Sequence, residues 1–438
     1  MTQDFENSGP DMHALAAELF PICRSITGNG VRSTLAILAD HIPLEIHEVP
    51  SGTKVFDWTV PKEWNIRDAY LLDPAGEKVV DFRDHNLHVV NYSVPVDTVL
   101  PLAELDEHLH SLPDLPDAIP YVTSYYVERW GFCLPHEQRA RLQDGDYRAV
   151  VDSTLEDGSL TYAELVIPGQ TDSEVLLSTY VCHPSMANNE LSGPVVTTTL
   201  AQWLASAPRR YTYRIVFVPE TIGSITYLSR NLEHLKENVV AGFNITCIGD
   251  DRAYSYLPSR HGDTIADRIA LEVLESSHPE FVRYSYLDRG SDERQYCSPG
   301  VDLPIASVMR SKYREYPEYH TSLDDLSLVT PSGLQGGFDV LRRCIQQLED
   351  TEYYRATCFA EPQLGKWGLY PTVGKRDVGN FSRRVLDVLA YADGRRSSAD
   401  LCRAINVDEK EITPILDVLV EKGLLSRGEA KRPNNQAR

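Results

Sequence analysis

Several things are missing from this 438-residue sequence, and each absence narrows its class. No stretch approaches the roughly 18 uninterrupted apolar residues of a membrane span. Residues 1–11 are polar and acidic, with no basic segment leading into an apolar core, so no secretory leader is expected. The eight cysteines are scattered without a CxxC pair, which argues against a zinc ribbon and fits reduced thiols in a cytoplasmic protein. Positive charge is also short: 42 Lys and Arg against 64 Asp and Glu leave a formal charge of -22. That balance disfavours a nucleic-acid backbone as the main ligand but still allows a local basic pocket for an acidic small molecule. No internal repeat or low-complexity tract is present. The length suggests two or three units.

What is present begins with helical spacing over residues 12–42, broken at Gly28–Gly30. Short β-like runs follow at Leu44–Val49, Lys54–Val60, Ala69–Leu72, Lys78–Asp81 and His88–Tyr92, and Asp106–Pro120 reads as a loop. Ala149–Ser153 and Leu160–Val166 flank the turn at Glu156–Gly158 and are predicted to pair as a hairpin. Strands at Glu174–Thr179, Tyr211–Val218 and Val239–Ile248 then alternate with helices at Leu191–Ser206, Ile225–His234 and Thr264–Ser276. This order predicts an α/β fold with a largely parallel sheet flanked by helices, functional groups gathering at the carboxyl ends of strands. A further helix at Gly333–Glu349 and a linker at Glu361–Thr372 precede three short helices, Phe381–Ala392, Ser398–Ile405 and Lys410–Lys422. With Ser398 and Asp408 as caps, these predict a winged helix-turn-helix.

Three segments could carry chemistry. In Cys182–Gly193 a histidine follows a strand, and His183 with residue 188, 189 or 190 could surround one ion. His183 is equally readable as a core histidine, with the Asn pair capping the next helix. Glu220 ends an apolar strand before a Gly turn, a place for a general base or for a carboxylate that simply favours a helix N-terminus. His320 lies in a polar, aromatic segment that reads as a pocket wall or a solvated loop. There Asp324 or Asp325 could fix the tautomer of His320. Arg252, Arg260, Arg294 and Arg310, with Tyr313, could bind an acidic substrate group, or the arginines could pair structurally with neighbouring acids.

Taken together, these segments resemble the zinc aminopeptidases of the bacterial leucyl aminopeptidase type, a group that includes glutaminyl cyclases. More closely, the chain resembles a bacterial aminopeptidase-like family, over Leu19–Gly28, Trp130–Cys133, His183–Ser185, Pro219–Ser224, Ser291–Tyr296, Tyr319–Ser322 and Glu361–Gly365. The resemblance implies a zinc-aminopeptidase-like catalytic domain (1–50 and 130–358), an inserted small β domain (51–129) and a C-terminal winged helix (365–438). It implies His183 and His320 as metal ligands and Glu220 as base. Thr221 and Thr246 stand where the dinuclear enzymes have carboxylate ligands, so at most one zinc is expected. Asn189 stands where a bridging Asp is found, and an amide oxygen is the weaker ligand. Weak binding, substitution by Glu190 or Asp250, or loss of hydrolysis all follow as readings.

The expected activity is that of a mononuclear zinc aminopeptidase or amidohydrolase acting on a small amino-acid or peptide conjugate. The resemblance suggests polysaccharide or natural-product metabolism. The alternatives are a non-catalytic ligand-sensing protein and a transferase or cyclase on the same scaffold. The winged helix, its basic residues (Arg383, Arg384, Arg395, Arg396, Arg403) close to balance with acids, is expected to make protein contacts or a homo-oligomer. Nucleic-acid and membrane partners are not expected.

Overall fold

The computed structural model describes residues 5–370 and 378–431. Parts of the expected linker and C-terminal unit (371–377 and 432–438) lie outside them. The main unit is built on an eight-stranded mixed sheet of β1 (Glu45–Pro50), β2 (Ser159–Ile167), β3 (Glu174–Tyr180), β4 (Thr212–Val218), β5 (Val239–Asn244), β6 (Ser255–Leu257), β7 (Val282–Arg283) and β8 (Ile305–Met309). Their spatial order is β1-β2-β4-β3-β5-β8-β6-β7. The four middle strands, β4, β3, β5 and β8, run parallel, and antiparallel pairs flank them at β1–β2, β2–β4 and β8–β6.

The central strands are continuous apolar runs because both of their faces are covered. In β3, Val175 and Leu177 point into the core shared with helices Gly9–Leu19, Ser192–Ala205 and Pro331–Asp350, whereas Leu176 and Tyr180 point into the core under helix Ile222–Asn238. In β4, Tyr213, Ile215 and Phe217 divide from Val216 and Val218 in the same way. Full burial of each such aliphatic or aromatic side chain contributes about 1.5–3 kcal/mol. Because these strands are parallel, residues 181–183, 219–221, 245–247 and 310–312 all emerge at one edge of the sheet.

A second sheet orders Lys78–Asp81, Glu63–Leu72, Asp146–Glu156 and Val96–Pro101. The hairpin predicted around Glu156–Gly158 is not formed. Asp146–Glu156 pairs with Glu63–Leu72 in this small sheet, while β2 pairs with β1 in the large one. The chain crosses between sheets at the turn, where a Cβ on Gly158 would lie 2.4 Å from the Glu63 carboxylate. His88–Tyr92 is not a strand either. It follows a short 3-10 turn and makes only isolated bridges, Val89 to Phe132 and Asn91 to Thr123. Strand Val96–Pro101 was not expected from the sequence: Val96 and Leu100 are only half-buried against the small-sheet core, and Val99 on the other face is 62% exposed.

The C-terminal unit contains helices Val378–Tyr391, Ser398–Ile405 and Glu409–Glu421. Its three-stranded sheet takes its middle strand, Tyr353–Ala356, from the segment just after helix Pro331–Asp350. The middle helix is capped by Ser397, one residue earlier than expected, in a reciprocal capping box with Asp400. Asp408 stands at the N-cap of the last helix but makes no side-chain cap bond. Ion pairs from Arg268 to Asp400 (3.1 Å) and from Arg403 to Glu272 (2.9 Å) link the unit to helix Ile265–Ser277.

Candidate metal centre

His183 follows β3 and Glu220 follows β4, so parallel pairing of the two strands brings them together: His183 Nε2 lies 3.7 Å from Glu220 Oε2. The other ring nitrogen of His183 is fixed by Glu190, with Nδ1 to Oε2 at 3.0 Å. Glu190 is itself held at its second oxygen by the Cys182 amide (2.7 Å) and by Arg24, whose Nε lies 3.3 Å away. Arg24 and Glu190 have fully buried side chains. Arg24 also donates to the carbonyls of His183 (2.9 Å) and Leu19 (2.8 Å). Burial opposes protonation of His183, but the Glu190 hydrogen bond and the charges of Glu190 and Glu220 outweigh it and raise its pKa.

Among the described residues, Cys182, His183 and Glu190 are the only three His, Cys, Asp or Glu groups whose ligating atoms cluster within 4.8 Å. Their partners argue against an ion at that point. Nδ1 and both Glu190 oxygens are already engaged, and burial pushes the Cys182 thiol well above its ordinary pKa, keeping it protonated. The cluster is a support for His183, leaving Nε2 to face the site.

Among the buried polar atoms near His183 without a partner are His320 Nε2 and Asn189 Oδ1, alongside Arg24 Nη2. The rings of His183 and His320 are 5.4 Å apart. Burial, with the charges of His183 and Arg314, holds the His320 pKa well below its usual value, so its ring is neutral and can offer a lone pair. The orientation of Asn189 follows from proton counting. Tyr180 donates its single proton to the Asn189 carbonyl (2.7 Å), so it must accept from Asn189 Nδ2 (2.8 Å), and Oδ1 faces the other way. A neutral imidazole nitrogen and an amide oxygen, both buried and orphaned beside His183, suit a cation better than any other common ligand.

The carboxylates considered as substitutes are occupied elsewhere. Asp250 accepts from Asn188 Nδ2 (3.0 Å) and from the Ser311 amide (2.9 Å) and hydroxyl (2.8 Å). Asp324 does not contact His320. It receives the Asn188 and Asn189 amides at 2.6 and 2.9 Å and the Tyr316 hydroxyl at 2.9 Å, shaping the turn that presents Asn189. Asp325 caps Ser327. Thr246 hydrogen-bonds Tyr180 (2.6 Å), and Thr221 accepts from Arg294 (3.0 Å).

Thr221 itself is strained, with φ 65° in a non-glycine residue. Asp292 accepts its amide at 2.7 Å and the Ser224 hydroxyl at 2.7 Å, fixing the turn that aims Glu220. Burial raises the pKa of Glu220, and burial together with the Glu220 charge lifts that of Asp292 to about 7. Of the expected pocket residues, Arg294 lies at this turn, Nε on the Ser291 carbonyl. Tyr313 donates to Glu293 (2.7 Å), Arg252 is bidentate on Glu318 (2.7 and 2.8 Å), Arg260 pairs with Asp302 (2.5 Å) and Arg310 covers the Tyr254 ring at 3.9 Å. Sequence reasoning missed Arg24, Tyr180 and Asp292. The only sequence signals were the strings Leu19–Gly28 and Ser291–Tyr296, which gave no hint of their partners.

Comparison with known proteins decides the family. Residues 13–351 match the family model described as domain of unknown function (DUF4910), and residues 352–427 match a winged helix-turn-helix model. The chain belongs to the DUF4910 family. A Clostridium acetobutylicum protein provisionally named a polysaccharide biosynthesis protein with aminopeptidase-like domain is 46% identical over 97% of this chain and 98% of its own. A crystal structure from the same organism, provisionally assigned as a peptidase, superposes with a TM-score of 0.80 at 45% identity, covering 97% of both chains. The zinc aminopeptidase BSAP of Bacillus subtilis shares the fold, with a TM-score of 0.56 at 13% identity over 79% of this chain and 96% of that one. The DUF4910 chain is thus an aminopeptidase-like fold carrying a winged helix. Among its described residues no helix is long and apolar enough to cross a membrane.

Proposed function

We propose that this DUF4910 chain is a mononuclear zinc-dependent aminopeptidase or amidohydrolase that cleaves an acyl-amide bond in a small amino-acid or peptide conjugate. The observation that carries this reading is the pair of orphaned buried atoms, His320 Nε2 and Asn189 Oδ1, beside His183 and Glu220. His183, Asn189 and His320 would hold the ion. When bound, it supplies Lewis-acid polarisation of the scissile carbonyl. Glu220, 22% accessible and raised in pKa by burial, takes a proton from the attacking water and passes it to the leaving amine. Glu190 holds the His183 tautomer through Nδ1. Arg294, at the Glu220 turn, is placed to attract an acidic group on the substrate. The relative's name supports a conjugate met in polysaccharide biosynthesis.

With an amide in place of a carboxylate, the donor set is neutral and the ion is held less firmly than in a carboxylate-containing site. The deciding experiment measures zinc content and hydrolysis of a panel of aminoacyl and N-acyl amides for wild type and Glu220→Gln. Stoichiometric zinc with at least about a 100-fold loss of kcat in the variant is expected. Absence of zinc binding, or equal hydrolysis by the variant, refutes the reading.

The winged helix is proposed to contact protein or a second copy. Helix Glu409–Glu421 exposes Glu409, Glu411, Asp417 and Glu421 against Lys410. Arg395 and Arg396 are paired to Asp393, and Arg403 to Glu272 and Asp400. A salt-dependent DNA titration showing tight binding would overturn this.

A further inference from the structure

Two phenols at the site come from outside the sheet that carries the ligands. The segment around Ile119–Tyr125 runs alongside the His320 loop. Pro120 and Thr321 form an antiparallel bridge, Tyr121 N donates to the His320 carbonyl (2.8 Å), Ser322 N to the Ile119 carbonyl (2.9 Å), and Ile119 N to the Ser322 hydroxyl (3.0 Å). This seam sets the Tyr121 ring 5.2 Å from the His183 ring and 5.1 Å from the His320 ring. Tyr125 is hydrogen-bonded to Tyr121, hydroxyl to hydroxyl, and its ring rests edge-on against Tyr92 at 5.8 Å. A phenol with an ordinary pKa of about 10 is protonated at neutral pH, so both hydroxyls carry their protons.

Proton counting then defines what the pair can do. Two phenols carry two protons and use one between their oxygens. The Thr123 hydroxyl also hydrogen-bonds Tyr125, and with Thr123 as the donor one phenol O–H is still left over. A spare donor on a pair whose Tyr121 ring packs against both histidines is poorly explained as packing, since Phe would fill the same space at either position.

We propose that the Tyr121–Tyr125 pair contacts the substrate directly, its spare O–H donating to the acyl oxygen of an amide held between His183, His320 and Glu220. This rests on the hydrolase reading above. As water adds to the acyl carbon, the C=O π electrons move onto oxygen and the phenol hydrogen bond strengthens. No proton leaves the phenol and no bond to tyrosine forms, because a hydrogen bond that tightens only as charge develops is enough to accelerate the step. The Ile119–Tyr125 segment thereby completes the site, and the ligand class is one that presents a carbonyl oxygen at that point.

The test uses the full-length zinc-loaded protein with Tyr121→Phe, Tyr125→Phe and the double variant, each checked by circular dichroism. Two readouts are taken: turnover of the best amide from the panel, and binding of leucinamide against isopentylamine, which has the same side chain and amine but no carbonyl. Each single variant retains one phenol with its own proton and loses less than about threefold in kcat. The double variant loses about 100-fold in kcat with KM within about threefold, a non-additive pattern that packing does not produce. The wild-type preference for leucinamide disappears in the double variant. The proposal is overturned if the folded double variant keeps its turnover or that preference, or if wild type shows no preference. If wild type prefers leucinamide, loses the preference on double substitution, yet hydrolyses nothing, the hydrolase reading fails and the phenol contact stands.

Discussion

Replacing Arg24 by methionine removes one member of a completely buried ion pair while keeping an apolar stem of similar length. Arg24 lies 3.3 Å from Glu190 Oε1 and donates to the carbonyls of His183 and Leu19, and neither side chain of the pair is accessible to solvent. Burial lowers the pKa of Arg24, but the neighbouring Glu190 charge opposes that, so the guanidinium stays charged. Its removal strands a buried carboxylate whose remaining partners are the Cys182 amide and His183 Nδ1. Breaking such a pair costs about 3–5 kcal/mol. Partial compensation by a protonated His183 sets the expectation at the lower end of that range. Glu190→Gln leaves the guanidinium unpaired instead and costs a similar amount. In Arg24→Met/Glu190→Gln neither charge is stranded, so the double variant should be more stable than the sum of the singles by at least about 2 kcal/mol. Urea unfolding followed by circular dichroism, compared through midpoints at constant slope, reads the cycle. A loss below about 1 kcal/mol for Arg24→Met, or additivity within about 0.5 kcal/mol, refutes the argument.

Asn189→Asp places a carboxylate against Tyr180, whose proton already serves the Asn189 carbonyl. Without metal the variant should be destabilised by about 1–3 kcal/mol, and zinc should restore it and raise hydrolysis; thermal melts with and without zinc decide, and no zinc-dependent gain refutes it. Thr221→Gly relieves a positive φ of 65°, so stability should hold or rise by about 1 kcal/mol while loss of the Arg294 acceptor lowers activity; a drop in melting temperature sinks the strain argument. Burial, with the charge of Glu220, lifts Asp292 to about 7, so the folded chain keeps a proton that the unfolded chain releases near pH 4. Its contribution is therefore full below about pH 4 and is lost as pH rises through about 7, and Asp292→Asn should flatten that part of a stability–pH profile. Equal slopes for the two proteins would contradict the assignment.

The strands at 174–180, 212–218 and 239–244 were legible in the sequence because parallel strands covered on both faces must be continuous apolar runs, and His183 and Glu220 were legible as the polar residues that end two of them. The hairpin expected across Gly158 failed because local patterning cannot say which sheet a strand joins. Strand Glu63–Leu72 takes the segment before the turn and strand Glu45–Pro50 the segment after it, with Glu63 and Glu48 both accepting from Ser159.

The sequence by itself determined the α/β class and the winged helix, and it marked His183 and Glu220 as polar residues at strand ends. Each of these depends on local periodicity or on a residue type at one position. Only the tertiary structure decided that Glu190 holds His183 Nδ1, that Asp250 and Asp324 are spent on the Asn188–Asn189 turn, and that Tyr121 packs against both histidines with Tyr125 bonded to its hydroxyl. Those roles turn on which lone pair or proton is left over after every neighbour is served. For Arg24 and Glu190 the partners are 166 positions apart, and for Asn189 and Asp324 they are 135 apart. At such separations only the folded chain determines who meets whom.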